Sequence, residues 1–296
     1  MAVGVLSLTA GIDVDQYTLE EQVGSGSSGE VWRATVDGEV FALKFLNERL
    51  LTGDEADLHL KRFRGEILAL EEVGHGAYIP QLHGYNLNFE RPYLAMTYVD
   101  APRWADLILS GEMMQVSLVK RLELLTQLAE AMHMIHDYGF VHRDVKPGNI
   151  HGVDHPYLID FSVAVQVGAA NTADHVGTAI YMPPPDGKRP DAMLDNYAFA
   201  VVVYEMLFGF HPIFSASYQP GSLDEAREET RARLSSGEWG RPSTLSDAKL
   251  PGSLLGANLE RLETVFRRGL GPREERYRDL KALIRDVEAA VLTEAN

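Results

Sequence analysis

Two short stretches concentrate groups that could do chemistry. Val141-His142-Arg143-Asp144-Val145-Lys146-Pro147-Gly148-Asn149-Ile150 holds an aspartate, a lysine and an asparagine, and Tyr157-Leu158-Ile159-Asp160-Phe161-Ser162 adds a second aspartate inside an apolar run. A carboxylate in apolar surroundings is costly unless something pairs with it. These groups therefore either satisfy one another as a structural ion-pair network or await a cation and a substrate. In the second case Asp144 can accept a hydroxyl proton. Lys146 can neutralise a transferring phosphate, and Asn149 and Asp160 are oxygen ligands suited to magnesium. Upstream, Gly24-Ser25-Gly26-Ser27-Ser28-Gly29 fits G-x-G-x-x-G, a pattern that alone is also met by a flexible turn. Here Val31 and a hairpin follow it, so the loop joins two strands, where backbone N–H groups can approach a phosphate without a Cβ clash.

The elements that must position these residues change character along the chain. Val31 to Val36 and Glu39 to Phe45 are β-prone runs joined by Asp37-Gly38, a strong hairpin signal. Alternation puts Ala42 and Lys44 on one face of the second run. Lys44 is then either an edge lysine in water or a buried one that needs a partner. Asp54 to Val73 reads as a helix through Leu60, Phe63, Ile67 and Leu70, and Glu66 shares the face of Phe63 and Leu70. Ile79 to Val99 returns to strands, with a turn near Asn88-Phe89-Glu90. Ser117 to Tyr138 is a long amphipathic helix with Gly139 as its expected C-cap. From Asp195 the chain reads as mostly helical, so a small strand-rich part precedes a larger helical one, with the boundary near residues 99–105.

Composition narrows the classes. The 296 residues suffice for one large domain or two lobes with ample core. A net charge of −16 argues against nucleic acid or an anionic membrane as the main partner. The absence of cysteine excludes disulfides and thiolate chemistry. Met1 to Leu8 lacks the basic start of a signal peptide. The longest apolar run, Asn196 to Pro212, is interrupted by Glu205 and is short for a membrane span, so it reads as a core helix. The histidines His133, His136, His142, His151 and His155 straddle a helix end and a hairpin, with no cysteine to complete a zinc set.

Taken in order, these motifs resemble the eukaryotic-type serine/threonine protein kinase domain, from about Tyr17 to Val291. The resemblance implies an α+β, two-lobed kinase-like fold. It has an antiparallel-sheet N-lobe with one main helix (17–99) and a larger helical C-lobe (103–293), preceded by an extension over 1–16. By the same resemblance Gly24, Ser25, Gly26, Ser27, Ser28 and Gly29 cover the ATP phosphates, and Lys44 holds the α/β-phosphates and pairs with Glu66. Met96 is the gatekeeper, Thr97, Tyr98 and Val99 form the hinge that meets adenine, and Val31 and Ala42 roof it. Asp144 is the catalytic base, Lys146 steadies the γ-phosphate, and Asn149 and Asp160 hold magnesium, with manganese as an alternative. Leu70, His142 and Phe161 belong to the stack that locks the active state. Gly177-Thr178-Ala179-Ile180-Tyr181-Met182-Pro183-Pro184 resembles the end of the activation segment that receives a protein substrate. Asp195 matches the buried anchor of the catalytic loop. Lys146-Pro147 is the serine/threonine pattern.

Three positions depart from the family. Ser162 replaces the glycine after Asp160-Phe161, which should stiffen a backbone switch. His151 stands where a leucine floors the adenine pocket. Pro185 replaces a glutamate that pairs with the arginine matched by Arg276, so the substrate segment is expected to lose a tether. Thr172 is the expected phosphorylation site, with Arg143 reading the phosphate, and Thr178 a structural residue beside Asp144 and Lys146. The expected activity is ATP- and magnesium-dependent transfer to serine or threonine hydroxyls of proteins. Alternatives are a nucleotide-binding scaffold and a phosphotransferase for small alcohols. No further domain or anchor is read in the chain, which suggests a cytoplasmic enzyme. The clustered charges are expected to stay partly unpaired until nucleotide arrives.

Overall fold

The structure, a computed structural model, describes residues 7–26, 28–169, 177–214, 218 and 221–292. Its chain divides into two compact units, Met1–Asp100 and Ala101–Asn296.

The first unit is built on an antiparallel sheet. Its strands are β1 (Asp13–Val14), β2 (Tyr17–Ser25), β3 (Gly29–Val36), β4 (Glu39–Leu46), β5 (Leu82–Asn86) and β6 (Tyr93–Thr97), in the order β1-β2-β3-β4-β6-β5. The β3–β4 turn is Asp37-Gly38, both with positive φ (51° and 85°), the geometry that matches strand twist in a two-residue hairpin. One face of the sheet carries a core of Val14, Tyr17, Leu19, Trp32, Leu43, Phe45 and Tyr93. Alternation sends the side chains of Ala42 and Lys44 to the opposite face. The one α-helix of the described residues in this unit, α1 (Ala56–Val73), buries Phe63, Glu66, Ile67 and Leu70. That is the i, i+3, i+4, i+7 stripe of an amphipathic helix.

The second unit is mainly helical. It comprises α2 (Trp104–Ser110), α3 (Leu118–Asp137), α4 (Ala192–Phe208), α5 (Leu223–Ser236), α6 (Leu259–Gly269) and α7 (Leu280–Val291). Four two-residue strands, β7 (Phe140–Val141), β8 (Ile150–His151), β9 (Tyr157–Leu158) and β10 (Val165–Gln166), pair as β7–β10 and β8–β9. Ser117 caps α3, accepting a hydrogen bond from the Lys120 N–H. Its far end is capped by Tyr138 rather than by Gly139, which follows in the left-handed region at φ 77°. Helix α4 begins earlier than Asp195, because the Asp191 side chain caps it by accepting from the Met193 N–H. Every residue from Asp195 to Phe208 is buried, as expected of a helix that is apolar all round and forms the core. Between α5 and α6 the chain runs through short 3-10 turns rather than helix. Among the described residues no helix is long and apolar enough to cross a membrane. A sheet with one long helix, followed by a helical unit, is the α+β arrangement that the resemblance implies.

Candidate active site

In the first unit the glycine motif spans the β2–β3 connection. Gly24 pairs with Val31 and Ser25 with Glu30, and the Gly26 N–H donates to the Gly29 carbonyl at 2.8 Å. Ser27 lies outside the described residues. The glycines are not equivalent. A Cβ on Gly29 would collide with the Phe45 carbonyl, whereas Gly26 has open space and Gly24 only ordinary contact with Val31. Packing therefore explains Gly29 and leaves the other two without a packing reason. The Ser28 carbonyl accepts from the Asn47 N–H.

Register then sets the neighbours. Lys44 stands opposite Val31 on one side and Leu94 on the other, and Ala42 opposite Met96. Lys44 Nζ donates to Glu66 Oε1 at 2.6 Å, with the two residues 5% and 1% exposed. A pair this buried is held by charge-assisted hydrogen bonding and cannot be broken on one side cheaply. The Thr97 hydroxyl accepts from the Gln81 N–H, and the Arg33 guanidinium lies over the Tyr98 ring, with Val99 next in the chain.

In the second unit Asp144, Lys146 and Asn149 converge through short local structure. The Asp144 carboxylate accepts from Lys146 Nζ (2.7 Å) and Asn149 Nδ2 (2.8 Å) on Oδ2, and from the Thr178 hydroxyl (2.7 Å) on Oδ1. The same Thr178 oxygen accepts from Lys146 Nζ at 2.6 Å. Thr178 reaches this place because Gly177, at φ 117°, lies so close to the Arg143 carbonyl that a Cβ there would come within 2.6 Å of it. The expectation that these charges stay partly unpaired is corrected for Asp144, since both of its oxygens are engaged within the fold.

The hairpin β8–β9 brings the segments of Asn149 and Asp160, the two expected oxygen ligands, side by side. Ile150 faces Leu158, and the Ile159 N–H donates to the Asn149 carbonyl at 2.9 Å, which brings Asn149 beside the residue preceding Asp160. The Asn149 amide nitrogen is committed to Asp144, which leaves its side-chain oxygen for another donor or a cation. Asp160 has φ 65° and accepts from the Ser162 N–H at 3.3 Å. Arg143 also sits at φ 65°. Left-handed non-glycine residues cost about 1–3 kcal/mol each and persist only when their surroundings hold them.

Asp195 is that hold for Arg143. Its carboxylate accepts from the His142 N–H and the Arg143 N–H, each at 2.8 Å, and from His136 Nε2 at 2.9 Å. Burial alone would raise the Asp195 carboxyl, yet the His136 hydrogen bond and the His142 N–H keep it below the usual value. His142 is fully buried and packs edge-on to Phe161 at 4.8 Å. Its Nδ1 accepts from the Asp144 N–H and its Nε2 faces the Ile159 carbonyl, which fixes the neutral Nε2–H tautomer. Burial pushes its pKa down, against the charges of Asp195, Asp144 and Asp160, in agreement with that tautomer. His151 lies on β8, bridged to Arg103, and burial followed by the Arg103 charge pushes its pKa down.

Residues 177–186 are secured by partners that sequence reasoning missed. The Tyr181 hydroxyl donates to both oxygens of Glu205 at 3.0 Å, and His211 Nε2 donates to the Ile180 carbonyl at 3.0 Å. Arg227 and Arg231 donate to the carbonyls of Pro183 and Pro185. The pair expected to be lost at Pro185 is absent, and a neighbouring one stands beside it. Asp186, one residue on, pairs with Arg273 at 2.5 Å, while Arg276 donates to the carbonyls of Gly271 and Met193 and lies over the Tyr197 ring. Asp191, directly before a helical run, carried a capping signal that could have been read. Thr172 lies outside the described residues.

Residues 17–258 match the family described as "Protein kinase domain". The chain is 29% identical over 255 residues to serine/threonine-protein kinase A of Synechocystis sp., covering 78% of this chain and 48% of that protein. It is 32% identical over 212 residues to serine/threonine-protein kinase PknA of Mycobacterium tuberculosis, covering 67% and 48%. It therefore spans about half the length of the curated relatives it matches. In fold it is similar to the crystal structure of the Mycobacterium tuberculosis PknI kinase domain, with a TM-score of 0.63 and 22% identity over 96% of this chain and 100% of that one.

Proposed function

The chain belongs to the protein kinase domain family, and from that premise we propose that it is an ATP-dependent serine/threonine protein kinase. The observation that carries the reading is the arrangement around Asp144, a carboxylate held between Lys146 Nζ and the Thr178 hydroxyl, with Asn149 on the same oxygen as the lysine. In the proposed reaction the substrate hydroxyl oxygen bonds to the γ-phosphorus as the bond to the ADP oxygen breaks, and the hydroxyl proton passes to Asp144. Lys146 swings its ammonium from Asp144 to the moving phosphoryl group. Lys44, held by Glu66, meets the α/β-phosphates, under a loop whose Gly24 and Gly26 leave the backbone open to approach.

Asn149 and Asp160 would hold magnesium, which screens phosphate charge when bound. Their donor set fits, because both offer hard oxygens and the asparagine nitrogen is already turned to Asp144. The proposed kinase domain covers 17–293 after an extension over 1–16, with Thr172 as its phosphorylation site. Val31, Ala42, Met96 to Val99 and His151 are assigned to adenine. Protein rather than nucleic acid is the proposed substrate, in the cytoplasm, and Lys146-Pro147 favours serine and threonine acceptors.

The test is incubation with magnesium and ATP beside Asp144→Ala, with phosphosites mapped by mass spectrometry. The expected outcome is phosphoserine or phosphothreonine in the wild type, falling by roughly 10²–10⁴-fold in the variant. A nucleotide-dependent gain in thermal stability without phosphate on this chain, on proteins or on small alcohols would leave a scaffold in place of the enzyme. Transfer to small alcohols alone would move the substrate class.

A further inference from the structure

The end of the substrate segment borders an open groove. Pro184, Pro185 and Asp186 border a cavity of about 590 Å³ that is also lined by Arg231, Trp239 and Arg273. On that side the segment faces water rather than packed side chains, so polar contacts can contribute to fixing its position. Asp186 supplies one. Its carboxylate meets Arg273 Nε at 2.5 Å and Nη2 at 3.4 Å. Arg273 Nη1 lies 2.5 Å from Asp191 Oδ1. The arginine side chain is 7% exposed between the two carboxylates. Asp191 caps α4, and one turn later Asp195 binds the backbone of His142 and Arg143. A continuous set of contacts thus runs from the substrate segment through Arg273 and the start of α4 to the loop that carries Asp144.

We infer that Asp186, Arg273 and Asp191 are positioning residues that hold the substrate segment on the N-terminus of α4, in place of the glutamate–arginine pair expected at 185 and 276. The inference rests on the protein kinase reading above, but its geometry does not. Arg276 is already taken by two carbonyls and an aromatic ring, and burial pushes its pKa down to about 10, although Asp186 and Asp191 pull the other way. Arg273 shows the opposite. Burial opposes its charge, yet Asp186 and Asp191 raise its pKa overall, and Asp186 is lowered in turn.

The experiment is amide hydrogen exchange across residues 177–191 without nucleotide or substrate, together with peptide kinetics, for Asp186→Asn, Arg273→Lys, Arg273→Met and Arg276→Met. Asp186→Asn and Arg273→Met are expected to speed exchange there by about tenfold or more, the loss of charge-assisted hydrogen bonds. Arg273→Lys should recover part of that protection. The double variant Asp186→Asn/Arg273→Met should be no faster than Arg273→Met alone. Peptide KM should rise by a similar factor, with ATP KM unchanged. If Arg273→Met does not fold, Asp186→Asn decides, since it changes a partly exposed side chain without changing its shape. Unchanged exchange in Asp186→Asn, or faster exchange only in Arg276→Met, overturns the inference. Absent phosphotransfer in the wild type would sink the kinase reading while the exchange measurement still judged the tether.

Discussion

Glu66 and Glu205 are both buried carboxylates, at 1% and 6% exposure, and the two units of the chain solve them differently. In the first, Lys44 brings an ammonium from the neighbouring sheet to 2.6 Å. In the second, among the described residues, Glu205 makes no ion pair and takes one hydroxyl proton, from Tyr181, shared between its two oxygens. A cation can offset much of the desolvation of a carboxylate, and a single hydroxyl cannot. Burial accordingly pushes the Glu205 carboxyl up to about 8, against the Tyr181 hydrogen bond. The lesson is that burial alone does not decide whether a carboxylate is charged. What decides it is whether the fold can deliver a counter-ion to the same spot.

The sharpest way to break this contrast is Lys44→Met. It leaves Glu66 buried without its ammonium, so the loss should be about 3–5 kcal/mol at pH 7, measured by denaturant unfolding. Adding Glu66→Leu should restore most of it, because the cost lies in the stranded charge and not in a missing attraction. A single-variant loss below about 1 kcal/mol would mean that the pair behaves like an exposed one.

Glu205→Gln should act with the opposite sign. Below the ordinary carboxyl value of 4.5 the folded and unfolded chains both hold the proton, and position 205 adds no pH dependence. Between 4.5 and about 8 the unfolded chain releases it while the folded chain keeps it, so the wild type loses stability as pH rises. Above about 8 both are ionised and the penalty is constant. Glutamine cannot titrate and still accepts from Tyr181. The variant should therefore be more stable than wild type by the order of a few kcal/mol at pH 9, with the gain shrinking towards zero near pH 4.5. A gain independent of pH would show that charge is not its cause.

What was legible in the sequence follows the same divide. Lys44 and Glu66 could be matched because a period of two fixes one face and a period near 3.6 fixes the other, over only 22 residues of chain. Asp144, Lys146 and Asn149 lie within six residues, so their meeting needs little tertiary structure. Thr178 meets Asp144 across 34 residues, and only the family resemblance suggested it. Tyr181 and Glu205 were hidden, because Glu205 read merely as an interruption of an apolar run. Asp186 and Arg273 were the least legible, being 87 residues apart in irregular segments, while the family pattern pointed to their neighbours at 185 and 276. Periodicity specifies faces, but it does not say which irregular loop arrives opposite them.

The smallest effect tests the hydroxyl itself. Tyr181→Phe keeps the ring against His211, whose centroid is 5.4 Å away, and removes the donor from Glu205. With Glu205 ionised, the variant leaves a buried carboxylate unsatisfied, so the loss above pH 8 should be about 1–3 kcal/mol. With Glu205 protonated the loss should be smaller, since a neutral carboxyl needs the donor less. The stability curve of the variant should therefore keep falling beyond pH 8, where that of the wild type levels off. Pairing Tyr181→Phe with Glu205→Leu makes both sides apolar and should recover the loss, as Lys44→Met with Glu66→Leu does in the first unit. If the Tyr181→Phe loss is instead the same at pH 5 and pH 9, the hydroxyl serves packing or water, and the two buried glutamates differ by less than their geometry indicates.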